Sequence, residues 1–350
     1  MTDIPSPDFR VAAPRPAETA SRRELFSGAT RLGAVGSLLA IAACESEESP
    51  LANTPTPTPS GSPTPAPTPT ETPSIISVSS ADTLALMLQL HYLQGEFYSR
   101  AVLDTPLPAA MIGGSGTPGE VTGPRRVSFK DPLLGELMRE IAAEKIGQII
   151  RLRAALGPAV VARPALNLAV DDAGAFTRFG RDAKDVPAAA AGAAQSRYDV
   201  YADQERLLLG AFILEDAVMT AWRGIIAQLT ASAEVDVAVG LLATCAHHVG
   251  LIRTQLFLRG AITGSTLHPS ANRLSDLRDS YSAEDDDQGV AVGSGASVRA
   301  NIAATDADGE IFGRRPQMTI NVFYMTRKVA TSGGFFPAGL NGALRTSTAT

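Results

Sequence analysis

The chain has 350 residues, of which 45% are hydrophobic and 19% charged, a balance that fits an ordinary globular protein. A net charge of −6 with no basic run excludes nucleic acid as the natural partner. The only cysteines, Cys44 and Cys245, lie far apart in segments of different character, which excludes a disulfide framework and leaves each to be explained alone.

Ser21-Arg22-Arg23-Glu24-Leu25-Phe26 has the form of a twin-arginine export motif, and a small-residue apolar stretch follows from Leu32 to Ala43. That stretch is too short to stay in a bilayer, which takes about 20 apolar residues. It closes on Ile41-Ala42-Ala43-Cys44, which resembles the lipobox of bacterial lipoproteins, where cleavage leaves a lipid-modified cysteine as the new N-terminus. Residues 1–43 are therefore expected to be a signal peptide and Cys44 a membrane anchor. The implied location is the periplasm or cell envelope, with the membrane as partner. Residues 44–79 follow as a Pro- and Thr-rich segment, including Thr54-Pro55-Thr56-Pro57-Thr58-Pro59, with almost nothing apolar to bury. Such sequence is expected to be disordered and to favour extended polyproline II, a semi-rigid spacer.

From residue 80 to 260 the pattern becomes helical. The first predicted helix, 81–104, puts Leu84, Leu88, His91 and Tyr98 on one face, so His91 points inward. The second, 132–156, has Leu134, Met138, Ile141, Lys145, Gln148, Leu152 and Leu156 on its stripe, with Gly157 as its stop. The third, 199–230, carries Glu215 in the middle of a stripe that includes Phe212, Val218 and Trp222. The fourth, 235–259, turns Cys245 and His248 inward one turn apart. Each helix thus buries a polar group near its middle. An isolated ionisable group is costly to bury, so these groups are expected to meet one another or a metal.

Several segments together are similar to the ferritin-like domain family of exported bacterial proteins related to plant desiccation-associated proteins. They are Gln89-Leu90-His91-Tyr92-Leu93-Gln94-Gly95-Glu96-Phe97-Tyr98, Leu152 to Gly157, Glu215-Asp216-Ala217-Val218, Ala246-His247-His248-Val249-Gly250, and Gly333-Gly334-Phe335-Phe336-Pro337. The resemblance implies an all-α, ferritin-like four-helix bundle at 80–260, long connections, and an irregular C-terminal extension at 261–350 that packs on it. In such bundles a glutamate from each of two helices joins a Glu-x-x-His pair from each of the other two around a di-metal centre. By that resemblance the helix-one glutamate falls on His91, the helix-two pair on Lys145 and Gln148, and the helix-four pair on Cys245 and His248. Only Glu215 and His248 match the pattern. Shifting helix two by one residue brings in Glu144 but pairs it with Gly147, so that register offers no histidine either.

Two readings follow. In the first, Lys145 replaces the metal charge and pairs with Glu215, while His91, Gln148 and His248 complete a polar core plug; no cofactor is then expected and the role is binding or structural, not enzymatic. In the second, His91, Glu215, Cys245 and His248 converge on a single transition metal, zinc or iron, in a redox protein. An intact di-iron oxidase or peroxide-consuming enzyme is the remaining possibility that the resemblance raises.

Outside the bundle stripes the residues suggest less chemistry. His247 falls on an outer face, and His268 is expected in an inert loop. The run Glu284-Asp285-Asp286-Asp287 reads as a solvated loop, and with Asp306 and Asp308 it fits no calcium-loop spacing. The connections at 105–130 and 157–197 are long and should lie over the surface, with 187–194 ambiguous. A short helix or strand is expected near 318–325. Phe335 and Phe336 are expected to clasp the tail onto the bundle.

Overall fold

The computed structural model describes residues 78–186, 196–282, 284 and 286–350. The export motif Arg22-Arg23, the anchor Cys44, the spacer as far as residue 77 and the ambiguous 187–194 lie outside the described residues.

Four long helices form the core: α1 (Ser80–Tyr98), α2 (Pro132–Leu156), α4 (Gln204–Ile225) and α5 (Ser232–Gly260), with a short α3 (Ala175–Asp182) between the second and third of them. Side-chain caps set three starting points. Ser79 and Asp82 form a capping box at α1, Asp131 accepts from the backbone of Leu133 and Leu134 ahead of Pro132, and Asp203 accepts from Arg206 N at 2.7 Å. The last cap explains why α4 begins at Gln204 and not at Asp199. Helix α1 ends early too: from Ser99 to Leu103 the chain widens into a π-helical turn, which closes at Asp104 with φ 59°.

Helices α1 and α2 pack together, as do α4 and α5, and α1–α4 and α2–α5 contacts close the bundle. Helices α1 and α4 are buried almost all round, whereas α2 and α5 each leave one face outward. Among the described residues α5 alone is long and apolar enough to cross a membrane, yet its inner face, with Cys245, His248 and Arg253, is core.

The extension is more helical than the sequence suggests. It supplies α6 (Leu267–Ser282), which packs on α4 and α5, and α7 (Pro316–Tyr324), which packs on α4 and α6. His268 is therefore not in a loop: it sits in the first turn of α6, stacked on Phe257, with Nε2 2.8 Å from the Phe257 carbonyl oxygen. Among the described residues the paired strands are two-residue ladders, parallel between β1 (Val121–Thr122) and β2 (Leu166–Asn167) and antiparallel between β3 (Ala291–Val292) and β4 (Arg299–Ala300), with isolated bridges at Ser115–Val161, Thr305–Ile311 and Gly333–Phe336. Phe335 and Phe336 are fully buried, with Phe335 edge-on to Phe176 at 5.1 Å.

The acidic run is a correction to the sequence reading. Asp286 and Asp287 are buried, not solvated, because two guanidinium groups meet them: Arg314 donates to Asp286 Oδ2 at 2.9 Å, and Arg278 donates to Asp287 Oδ1 at 2.7 Å. Arg278 and Arg253 also reach Asp216 on α4, and Arg253 donates to the carbonyls of Gln288, Gly289 and Asn301. Each buried charge thus has a counter-charge, and this network ties the extension to the bundle. Close backbone approach completes the join. A Cβ at Gly224 of α4 would lie 2.1 Å from the Arg314 carbonyl oxygen, and Arg314 N donates to Thr220 O at 2.8 Å.

Candidate functional site at the bundle centre

The polar residues of the four stripes do come near one another, but not as one connected set. Lys145 of α2 and Glu215 of α4 are fully buried, and Lys145 Nζ donates to Glu215 Oε2 at 2.8 Å. Cys245 Sγ of α5 lies 3.8 Å from the same nitrogen. His248 Nδ1 lies 3.9 Å from Glu215 Oε2. These four side chains occupy one spot.

His91 and Gln148 do not join them as expected. His91 Nε2 accepts a hydrogen bond from Trp222 Nε1 at 2.9 Å, because an indole N–H buried in a helix interface needs an acceptor. Gln148 stands beside His91, but neither of its amide atoms reaches hydrogen-bond geometry. His91 Nδ1, Glu215 Oε1 and His248 Nδ1 likewise have no protein partner. Trp222 is thus a site residue that the sequence reading counted only as apolar stripe; its N–H was the available signal.

Glu144 is the second residue missed in its role. Its backbone position faces outward and its side chain is 43% exposed, yet its carboxylate folds back onto His248 Nε2 in a close contact. The register question in α2 is thereby answered: Lys145 enters the centre and Glu144 lies at its rim. Above them a groove of about 330 Å³ opens between α2 and α5, lined by Glu140, Glu144, Thr244, His247 and His248. His247 is exposed there.

Burial governs the protonation of the site. It pushes the His248 pKa down to about 2, with the Lys145 charge acting in the same direction, so His248 is neutral. In its contact with the Glu144 carboxylate, which can only accept, Nε2–H donates. Burial likewise holds His91 well below the ordinary imidazole range. The Cys245 thiol is pushed up to about 11 by burial, against the pull of Lys145. Glu215 is raised by burial and brought partly back by Lys145, with the Tyr98 hydroxyl beside it working the same way as Lys145.

The residues present fit a resident metal poorly. An ammonium has no lone pair and repels a cation, and here it already satisfies the one fully buried carboxylate of the group. Among the described residues no three His, Cys, Asp or Glu side chains are placed to hold a metal ion.

The model of the ferritin-like domain family matches residues 79–258, more than half of the chain. The chain belongs to that family. The chain is also similar to the ferritin-like catalase Nec2 of Nesocodon mauritianus, 23% identical over 282 residues that cover 77% of this chain and 86% of that protein. No solved structure matches the chain. The family match ends at the C-terminus of α5, so α6, α7 and the Asp286–Arg314 network lie beyond it.

Proposed function

We propose that this chain is an exported, lipid-anchored ferritin-like protein of the cell envelope whose bundle centre has exchanged di-metal chemistry for a buried ion pair, and whose role is binding or structural, not catalytic. The 2.8 Å bond between Lys145 Nζ and Glu215 Oε2 carries this reading. Binding a cation at Glu215 would strand a buried ammonium beside it. Losing one partner of a buried pair costs about 3 to 5 kcal/mol, so the lysine opposes metal entry by both repulsion and desolvation. The twin-arginine motif at Arg22-Arg23 and the lipobox-like close on Cys44 support export and anchoring, and the resemblance of the sequence to desiccation-associated proteins suggests a stress-related setting.

One observation favours a second reading. Glu215 and Cys245 face Lys145, and His248 Nδ1 lies 3.9 Å from Glu215 Oε2, so a single zinc or iron ion would take these three ligands only if the amine turned away and the side chains drew together. Mature protein purified from membranes separates the two. The expected results are an acyl mass on Cys44, far less than one transition metal per chain, and hydrogen peroxide consumed no faster than in buffer. Stoichiometric metal, or peroxide turnover lost in Glu215→Gln, would reject the ion-pair reading; a Cys44 without acyl mass would reject the anchor.

A further inference from the structure

Lys145 and Cys245 present a nitrogen and a sulfur 3.8 Å apart, on different helices, both fully buried. The sulfur is the only one among the described residues that belongs to a cysteine. Beside them Glu215 Oε2 accepts from the amine, while Glu215 Oε1 and His248 Nδ1 are buried without protein partners. Unpartnered polar atoms of this kind make the spot hospitable to a small polar solute. His248 lines the groove between α2 and α5, and Nδ1 of the same ring lies 3.9 Å from Glu215 Oε2 at the centre.

We infer that Lys145 and Cys245 are a covalent modification site, at which hydrogen peroxide converts the pair into a sulfur–nitrogen cross-link joining α2 to α5. The inference rests on the reading that Lys145, and not a metal, fills the centre. In the first step the sulfur attacks peroxide, the O–O bond breaks, and the products are a sulfenic acid on Cys245 and one water; sulfur is oxidised by two electrons and peroxide is reduced. In the second, the Lys145 ammonium passes a proton to Glu215, and the freed lone pair attacks the sulfenyl sulfur. The S–O bond breaks, and hydroxide leaves as a second water with the proton that Glu215 returns. The nitrogen then loses its remaining extra proton to solvent. In sum, thiol, ammonium and one peroxide give the S–N bond, two waters and one proton. Cys245 is fully buried, so the reaction is slow and follows peroxide dose and time. A sulfenic acid condensing with a nitrogen is known chemistry, and here the nearest nitrogen is an amine already beside a base.

The test treats the full mature chain with hydrogen peroxide and follows it by intact mass and linked-peptide mapping, with metal content measured on the untreated sample. The expected result is a mass loss of two hydrogens, a linked peptide pair containing Lys145 and Cys245, and reversal by dithiothreitol. Lys145→Arg keeps the cation but supplies no comparable nucleophile, so it should stop at a sulfenic acid that dimedone traps. A Cys245 that stays free while methionines oxidise, that stops at sulfenic or sulfinic acid in the unaltered chain, or that pairs with Cys44 would overturn the proposal. Metal-free protein that fails to cross-link sinks this inference alone; stoichiometric metal sinks the proposed function and this with it.

Discussion

In the sequence Glu144-Lys145-Ile146, a rotation of one residue about α2 decides whether a carboxylate or an ammonium enters the bundle. The apolar stripe through Leu134, Met138, Ile141 and Leu152 settles it, because those side chains are all buried and Lys145 lies on their line. The consequence is an interior in which two charges depend on each other. Lys145→Met alone strands the Glu215 carboxylate and should cost about 3 to 5 kcal/mol in urea unfolding, whereas pairing it with Glu215→Leu should recover most of that loss. Single effects that simply add in the double variant would show that the two groups are not coupled. Which polar residues face inward was legible from helical spacing. Their partners were not, since the Trp222–His91 bond and the return of Glu144 onto His248 depend on side-chain reach and not on period.

At the scale of elements, α2 was legible to the residue, because Asp131, Pro132 and Gly157 punctuate it. Helices α3 and α6 were not, and α7 only as a short helix or strand near 318–325. Helices α3 and α7 are short, and α6 is rich in polar residues whose arginines find carboxylates from a remote segment, which no local pattern announces. Asp279 of α6 shows what that arrangement does. Its Oδ1 accepts from Asp286 N at 3.0 Å, and burial, reinforced by the Asp287 charge, pushes its pKa up to about 7 from an ordinary 3.8. The folded state thus holds the Asp279 proton more tightly than the unfolded chain does. Its contribution is intact below pH 3.8, declines as pH rises, and is gone above about 7. Asp279→Asn keeps the acceptor and removes the titration, so it should match the parent at acid pH and exceed it in stability at pH 8. Denaturation midpoints across that range check this, and a constant difference at every pH would refute it.

For the whole molecule, the extension is part of the core and not a wrapping. Arg278 of α6 and Arg314 ahead of α7 neutralise carboxylates that include Asp216 of α4, and Phe335 and Phe336 sit in the shared aromatic cluster. A chain ending after Gly260 keeps every residue that the family match covers but loses these partners. It should therefore fail to reach a cooperative fold, with helical far-ultraviolet dichroism retained and near-ultraviolet signals lost. A sharp, cooperative transition in that truncated chain would show that the bundle stands alone. The four-helix plan was legible because it rests on period and caps. The join was hidden because it rests on charges brought together across distant parts of the chain.

The protein has a single tryptophan, and that residue is the fully buried donor to His91, about two turns along α4 from Glu215. Its emission is therefore an intrinsic optical reporter of the interior: a blue-shifted band whose intensity tracks any hydration, protonation or repacking at the centre, free of background from other indoles.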